Sequence, residues 1–301
     1  MILIRKTGEI IKKFLSKYGK HIKRIFIVLL IVTAIVTGIW LFKSALERVH
    51  NNKVLKERGE VSVVVFGDSI WDIVRDDTGI AARLQRQLGN KVILSNCAIM
   101  GTSAAMRTSE AKNYKLWNEQ SLYSMVQIAA GLKESAIPED KAAAELMNTV
   151  DFQKADYFVI AYGLNDYFSA IPRASDDPED VYTYAGALRS SVKLIKKCFP
   201  NAKIIIMSQT YCQQYSYGRI ISDSNDKDFG GGTGLEYIQV AKAVADEMGT
   251  LFINNSEDLG INIYNGKMYL SDATHLTAAG RLKYANNLAD YLIKAFEEDM
   301  K

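Results

Sequence analysis

His275 is the one histidine beyond position 50, and it closes the run Asp272-Ala273-Thr274-His275. Far upstream, a β-branched run ends in Val65-Phe66-Gly67-Asp68-Ser69-Ile70, which sets a serine at a strand-to-turn junction. A hydroxyl is a weak nucleophile at neutral pH. It needs an adjacent base, and the base needs a partner that holds its tautomer and offsets its positive charge. Ser69, His275 and Asp272 are of the right types for those three roles. The chemistry would be acyl transfer, which also requires donors for a developing oxyanion. Gly101, in Asn96-Cys97-Ala98-Ile99-Met100-Gly101-Thr102, can present a backbone N–H without side-chain obstruction. Asn165, in Tyr162-Gly163-Leu164-Asn165-Asp166, can present its amide N–H₂.

Each residue alone also has a plain structural reading. Ser69 suits a turn, Asn165 a turn or helix cap, Asp272 a cap near the last helix, and His275 an ordinary surface position. Asp68 and Asp166 read as loop-bracing carboxylates. Two rival motifs fail on spacing. Gly101-Thr102-Ser103-Ala104-Ala105 imitates a nucleophile elbow, but several residues separate it from its strand, so Ser103 is a poor nucleophile. The stretch from Gly260 to Gly266-Lys267-Met268 has five residues between its glycines and a methionine where a phosphate loop needs Ser or Thr. No Cys/His/Glu ligand cluster is present, so neither a metal nor a cofactor is implied. Cys97, Cys198 and Cys212 make an odd count without ligand spacing and read as buried free thiols, with one pair bridged outside the cell as the alternative.

The elements that must carry these residues alternate along the chain. Short apolar runs at 61–66, 91–95, 157–161, 203–208 and 251–254 read as strands. Helical patterns lie near 77–89, 110–150, 178–199, 234–248 and 277–298. That alternation predicts a parallel sheet with helices on both faces, the reactive groups gathering at the carboxyl ends of the strands. Residues 209–233, with Gly230-Gly231-Gly232, read as a long mobile loop, either a solvent linker or a substrate loop. Tyr114, Trp117, Tyr123, Met125 and Met147 suit either an aromatic wall over the pocket or helix packing on the sheet.

Taken together, Gly67-Asp68-Ser69-Ile70, Gly101, Gly163-Leu164-Asn165-Asp166 and Asp272-Ala273-Thr274-His275 resemble the four blocks of the SGNH (GDSL-type) hydrolases, in order, over about residues 61–298. Two departures are Ile70, where the family has leucine, and Ala98, where many members have glycine. The resemblance implies an α/β three-layer sandwich with a five-stranded parallel sheet of flavodoxin-like type. It also implies Ser69 as nucleophile, and Ser69, Gly101 and Asn165 as oxyanion donors. His275 would be the base, oriented by Asp272.

Outside that region the chain changes character. Residues 1–24 carry eight Lys/Arg and one acid, leaving 29 basic against 33 acidic residues, or −4, in the rest. The basic balance is therefore terminal, and a nucleic-acid partner is not expected. Residues 25–42 are uncharged and mostly apolar, and as a helix they would span roughly 27 Å, close to a hydrocarbon core. Trp40-Leu41-Phe42-Lys43 follows without a small-x-small cleavage site, which favours an uncleaved anchor over a signal peptide. Lys12, Lys13, Lys17, Lys20, Lys23 and Arg24 put the N-terminus in the cytoplasm by the positive-inside rule. Ile10, Ile11, Phe14, Leu15, Tyr18 and Ile22 fall at helical spacing, which suits a helix lying on the inner leaflet or an extension of the span.

The expected organisation is a basic cytoplasmic segment at 1–24, a transmembrane helix at 25–42, a charged helical stalk at 43–60 and a hydrolase domain at 61–301. The expected protein is a membrane-anchored serine esterase whose partners are the membrane and an acylated small molecule or glycan. An O-acyltransferase using the same triad and a non-catalytic tethered binding domain are the alternatives.

Overall fold

The computed structural model describes the backbone of residues 2–301 and the side chains of Lys20, His21 and residues 23–301. The apolar positions Ile10, Ile11, Phe14, Leu15, Tyr18 and Ile22 therefore lie outside the described side chains. The chain divides into two compact units, Met1–Glu57 and Arg58–Lys301.

The described residues of the first unit all belong to one continuous helix, α1, assigned over Ile2–Arg58. It contains no proline, and Gly59 at φ +83° ends it, a backbone conformation that glycine adopts without steric cost. Its Lys23–Arg58 portion is long and apolar enough to cross a membrane, with a mean hydropathy of 2.8 in its most apolar window. On the polar stretch of that portion after Phe42, Lys43–Glu47 and Lys53–Glu57 form i,i+4 pairs.

In the second unit β1 (Val61–Gly67) leads through α2 (Ser69–Asp72) and α3 (Ile80–Leu88) to β2 (Val92–Asn96). The helices α4 (Tyr114–Glu119), α5 (Leu122–Ala129) and α6 (Ala142–Thr149) precede β3 (Tyr157–Ala161). Then follow α7 (Leu164–Phe168), α8 (Tyr184–Cys198), β4 (Lys203–Met207), β5 (Gln213–Ser216) and β6 (Arg219–Asp223). The last elements are α9 (Gly234–Met248), β7 (Leu251–Ile253), α10 (Asn255–Asp258), α11 (Gly266–Tyr269) and α12 (Ala278–Asp299).

The five longer-range strands form one parallel sheet in the order β2-β1-β3-β4-β7. Val63, Val64, Val65 and Phe66 of β1 and Tyr157, Phe158, Val159 and Ile160 of β3 are fully buried. A sheet covered on both faces explains why its strands read as unbroken apolar runs. The path from β1 to β2 runs opposite to the path from β3 through β4 to β7. Right-handed crossovers then put α3 on one face and α5, α8 and α9 on the other, and α12 returns to pack on α3. The direction of winding reverses beside β1, the place where open α/β sheets leave a crevice at their carboxyl edge. Ser69 lies two residues beyond β1, at that crevice.

Two expectations need correction. Residues 110–150 are not one helical stretch but the three short helices α4, α5 and α6. Asn113 begins α4 in the left-handed region at φ 56°, Ser121 caps α5 by accepting the Ser124 N–H, and Gly131 (φ 67°) lies just beyond α5. Residues 209–233 are not a structureless loop either. They hold the antiparallel hairpin β5–β6 and a bridge between Asp228 and Thr233. The hairpin turns on Tyr217 (φ 47°) and Gly218 (φ 74°), two positive-φ residues that match the twist of the flanking strands. Thr233 then forms a reciprocal capping box with Glu236 at the start of α9.

Candidate active site

Asp68 is the N-cap of α2, and its side chain accepts the Ile70 N–H at 3.0 Å. That cap leaves the N–H of Ser69, the first helical residue, as one of the orphan donors every helix start carries. It has no protein acceptor among the described residues, and neither does the Gly101 N–H. Asn165, in the first turn of α7, donates one amide N–H to the Thr102 carbonyl at 2.8 Å, which fixes its carboxamide and leaves the second N–H to point elsewhere.

His275 arrives from the far end of the sequence. His275 Nε2 lies 2.9 Å from Ser69 Oγ, and His275 Nδ1 lies 2.7 Å from Asp272 Oδ2. The other carboxylate oxygen of Asp272 accepts the Thr274 and His275 backbone N–H groups, both at 2.6 Å. With Asp272 acting only as acceptor, the proton belongs on Nδ1, and Nε2 is left to accept the Ser69 hydroxyl proton. Partial burial pushes the Asp272 carboxyl up, but these hydrogen bonds outweigh it and hold the group below the usual carboxylate range.

This loop is itself held from three sides. A bridge pairs Leu270 with Leu276, Ser271 N–H donates to the His275 carbonyl at 2.7 Å, and Gln213 N–H on β5 donates to the Ala273 carbonyl at 2.8 Å. Arg281 ties the start of α12 to Thr78 before α3, with its Nε 2.9 Å from the Thr78 carbonyl. On the buried side, Trp71 of α2 donates to the Tyr284 hydroxyl of α12 at 3.1 Å.

Ser69, Gly101, Asn165, Asp272 and His275 all lie beyond the carboxyl ends of β1, β2, β3 and β7. The structure joins Ser69, His275 and Asp272 in one hydrogen-bonded relay. Ser103 lies apart from it, buried, with its hydroxyl donating to the Ala105 carbonyl at 2.8 Å.

Asp68 and Asp166 brace loops. Asp166, fully buried, accepts the Ala104 and Ala105 N–H groups at 2.9 and 3.0 Å and so pins the loop after β2 onto α7. Burial, opposed in part by those bonds, pushes Asp166 up to about 6. For Asp68, burial together with repulsion from Asp166 outweighs the Ile70 hydrogen bond and pushes it up to about 7.

A second brace was not visible in the sequence. Asp72 accepts the Met100 N–H at 2.7 Å and the Arg75 Nε–H at 2.6 Å, while the Arg75 guanidinium donates to the Asn96 and Ala98 carbonyls at 3.1 and 2.7 Å. This clamp ties the backbone of residues 96–100, just before Gly101, to the segment that follows Ser69. The only sequence signal for it is Asp-x-x-Arg, a common surface pairing. Gly101 itself is required twice over, by φ +80° and by the Trp117 ring, which a Cβ there would approach to 3.1 Å.

The sequence pattern of the GDSL-like lipase/acylhydrolase family matches residues 65–282, more than half of the chain, and the chain belongs to that family. It is an ester-hydrolysing enzyme of the SGNH type. Solved structures share its fold. One is a protein from Lactobacillus plantarum, 18% identical, covering 78% of this chain and 97% of its own, with a TM-score of 0.56. Est24, a carbohydrate acetylesterase from Sinorhizobium meliloti, is 16% identical, with 78% and 100% covered and a TM-score of 0.51. The acetyl xylan esterase AlAXEase is 16% identical, with 77% and 99% covered and a TM-score of 0.50. A short stretch is 48% identical over 50 residues to the ATP-dependent DNA helicase Rep of Buchnera aphidicola subsp. Schizaphis graminum, spanning 17% of this chain and 7% of the helicase.

Proposed function

We propose that the chain is a membrane-anchored, outward-facing serine esterase that removes an O-acyl group, acetyl above all, from a cell-envelope glycan through an acyl-enzyme. The observation that carries this reading is the relay Asp272–His275–Ser69, with both of its links at hydrogen-bond length. His275 takes the Ser69 proton as Oγ attacks the ester carbonyl carbon. The oxyanion is received by the Ser69 and Gly101 N–H groups and the free Asn165 N–H. Collapse expels the alcohol, which takes the proton from His275. Water, activated by the same imidazole, then cleaves the acyl-serine and releases the carboxylic acid.

The acetyl preference draws on the fold shared with carbohydrate acetylesterases. The anchor and its orientation draw on the apolar Lys23–Arg58 helix and the basic residues before it. An outward-facing domain would meet envelope glycans before any soluble cytoplasmic ester. Acetate release from O-acetylated envelope glycan by the full chain, absent in Ser69→Ala, is the expected result. Release that persists in Ser69→Ala would overturn the assignment.

A further inference from the structure

The segment between β2 and β3 sets beside Gly101 an aromatic side chain that neither the triad nor the oxyanion donors use. Trp117, half-buried on α4, sets the edge of its six-membered ring against Gly101. A Cβ at that glycine would lie 3.1 Å from Cζ3 and 3.2 Å from Cη2. The Arg107 guanidinium covers the ring at 4.7 Å from its centroid. Arg107 is fixed in turn: its N–H donates to Asn118 Oδ1 at 2.6 Å, and Asn118 Nδ2 donates back to its carbonyl at 2.9 Å. Its guanidinium also reaches Ser169 Oγ, at the end of α7, at 3.2 Å. The indole is thus a preorganised wall. Met125 and Met147 are buried and belong to the core.

Four groups surround the carbon under attack: Ser69 Oγ, the oxyanion, the leaving oxygen and the acyl substituent. The leaving oxygen must stay within proton-transfer reach of His275 Nε2, which enters from the loop before α12, on the face that carries α3. The oxyanion faces Gly101 and Asn165. Trp117 comes from the segment leading into α5, on the opposite face. The substituent directed away from His275 and past Gly101 is the acyl chain.

We propose that Trp117 is the specificity-determining end wall of the acyl pocket, admitting an acetyl group and rejecting longer chains. This rests on the roles assigned above to Ser69, His275 and Gly101.

The test uses the full chain in detergent, with kcat/KM measured for p-nitrophenyl acetate, butyrate and hexanoate and for acetate esters of small and bulky alcohols. In the wild type the butyryl-to-acetyl ratio should be low, by about tenfold or more per excluded methylene. Trp117→Ala should raise that ratio at least about tenfold, while the ranking across alcohols stays within about twofold. Trp117→Phe, whose shorter ring does not reach Gly101, should raise it less and in the same direction. Ratios within one preparation are independent of the fraction folded, and Trp117→Phe carries the test if the alanine variant does not fold. An unchanged ratio, or a shift confined to the alcohol series, overturns the wall. Failure of the wild type on every ester would instead strike the esterase reading itself.

Discussion

Ser69, His275 and Asp272 are joined as a unit of three side chains, and such units fail as units. Ser69→Ala and His275→Ala should each lower ester turnover by roughly 10³-fold or more, and the double variant should lose little beyond either single one. Additive losses in a kcat/KM cycle would break the relay. Asn165→Ala should cost about 10²–10³ in kcat, the usual effect of one oxyanion donor. Asp272 is different because its side chain is 56% exposed, so water screens its charge. Asp272→Asn should lower kcat by about 10²-fold, short of the ~10⁴ seen for a buried triad aspartate. A loss as large as that of His275→Ala would contradict the screening argument.

Asp68 supplies a stability prediction with a definite sign. The folded chain keeps its proton up to about pH 7, whereas the unfolded chain sheds it near its ordinary value of 3.8. The folded state therefore binds more protons between those values, and stability is lost as pH rises through about 4 to 7. Asn can still cap α2 and cannot ionise. Melting temperature should therefore fall less between pH 5 and 8 in Asp68→Asn than in the wild type; parallel curves would refute the raised carboxyl.

At the scale of elements, legibility followed burial. The five sheet strands were readable because both faces of the sheet are covered, which leaves apolar runs such as Tyr157–Ala161. The hairpin was not, because Gln213-Gln214-Tyr215-Ser216 lacks apolar alternation and its turn uses Tyr217-Gly218 rather than an Asn-Gly pair. The division of 110–150 turned on Asn113, Ser121 and Gly131, local signals that periodicity alone overlooks. Much the same division holds at the candidate site. Ser69, Gly101, Asn165, Asp272 and His275 carry distinctive side chains, or the lack of one, at strand ends. The Asp72–Arg75 clamp spends its hydrogen bonds largely on backbone groups of residues 96–100, which no residue type reports. Because that clamp positions Gly101, Arg75→Ala should lower kcat by up to about 10²-fold while leaving the melting temperature nearly unchanged. Equal kcat in the two proteins would show that the loop after β2 holds its place without it.

At the scale of the whole molecule, the charge asymmetry and the apolar run at 25–42 were plain in the sequence because they depend on composition rather than packing. The wall formed by Trp117 was only half legible: its aromatic type was evident, but its contact with Gly101 depends on how α4 is set after the Asn113 turn. Orientation and chemistry meet in one experiment on intact cells expressing the full chain. A membrane-impermeant fluorophosphonate should label the protein without cell rupture, its adduct should map to Ser69, and labelling should vanish in His275→Ala. Labelling that requires rupture, or an adduct on Ser103, would contradict an outward-facing enzyme built on the Asp272–His275–Ser69 relay.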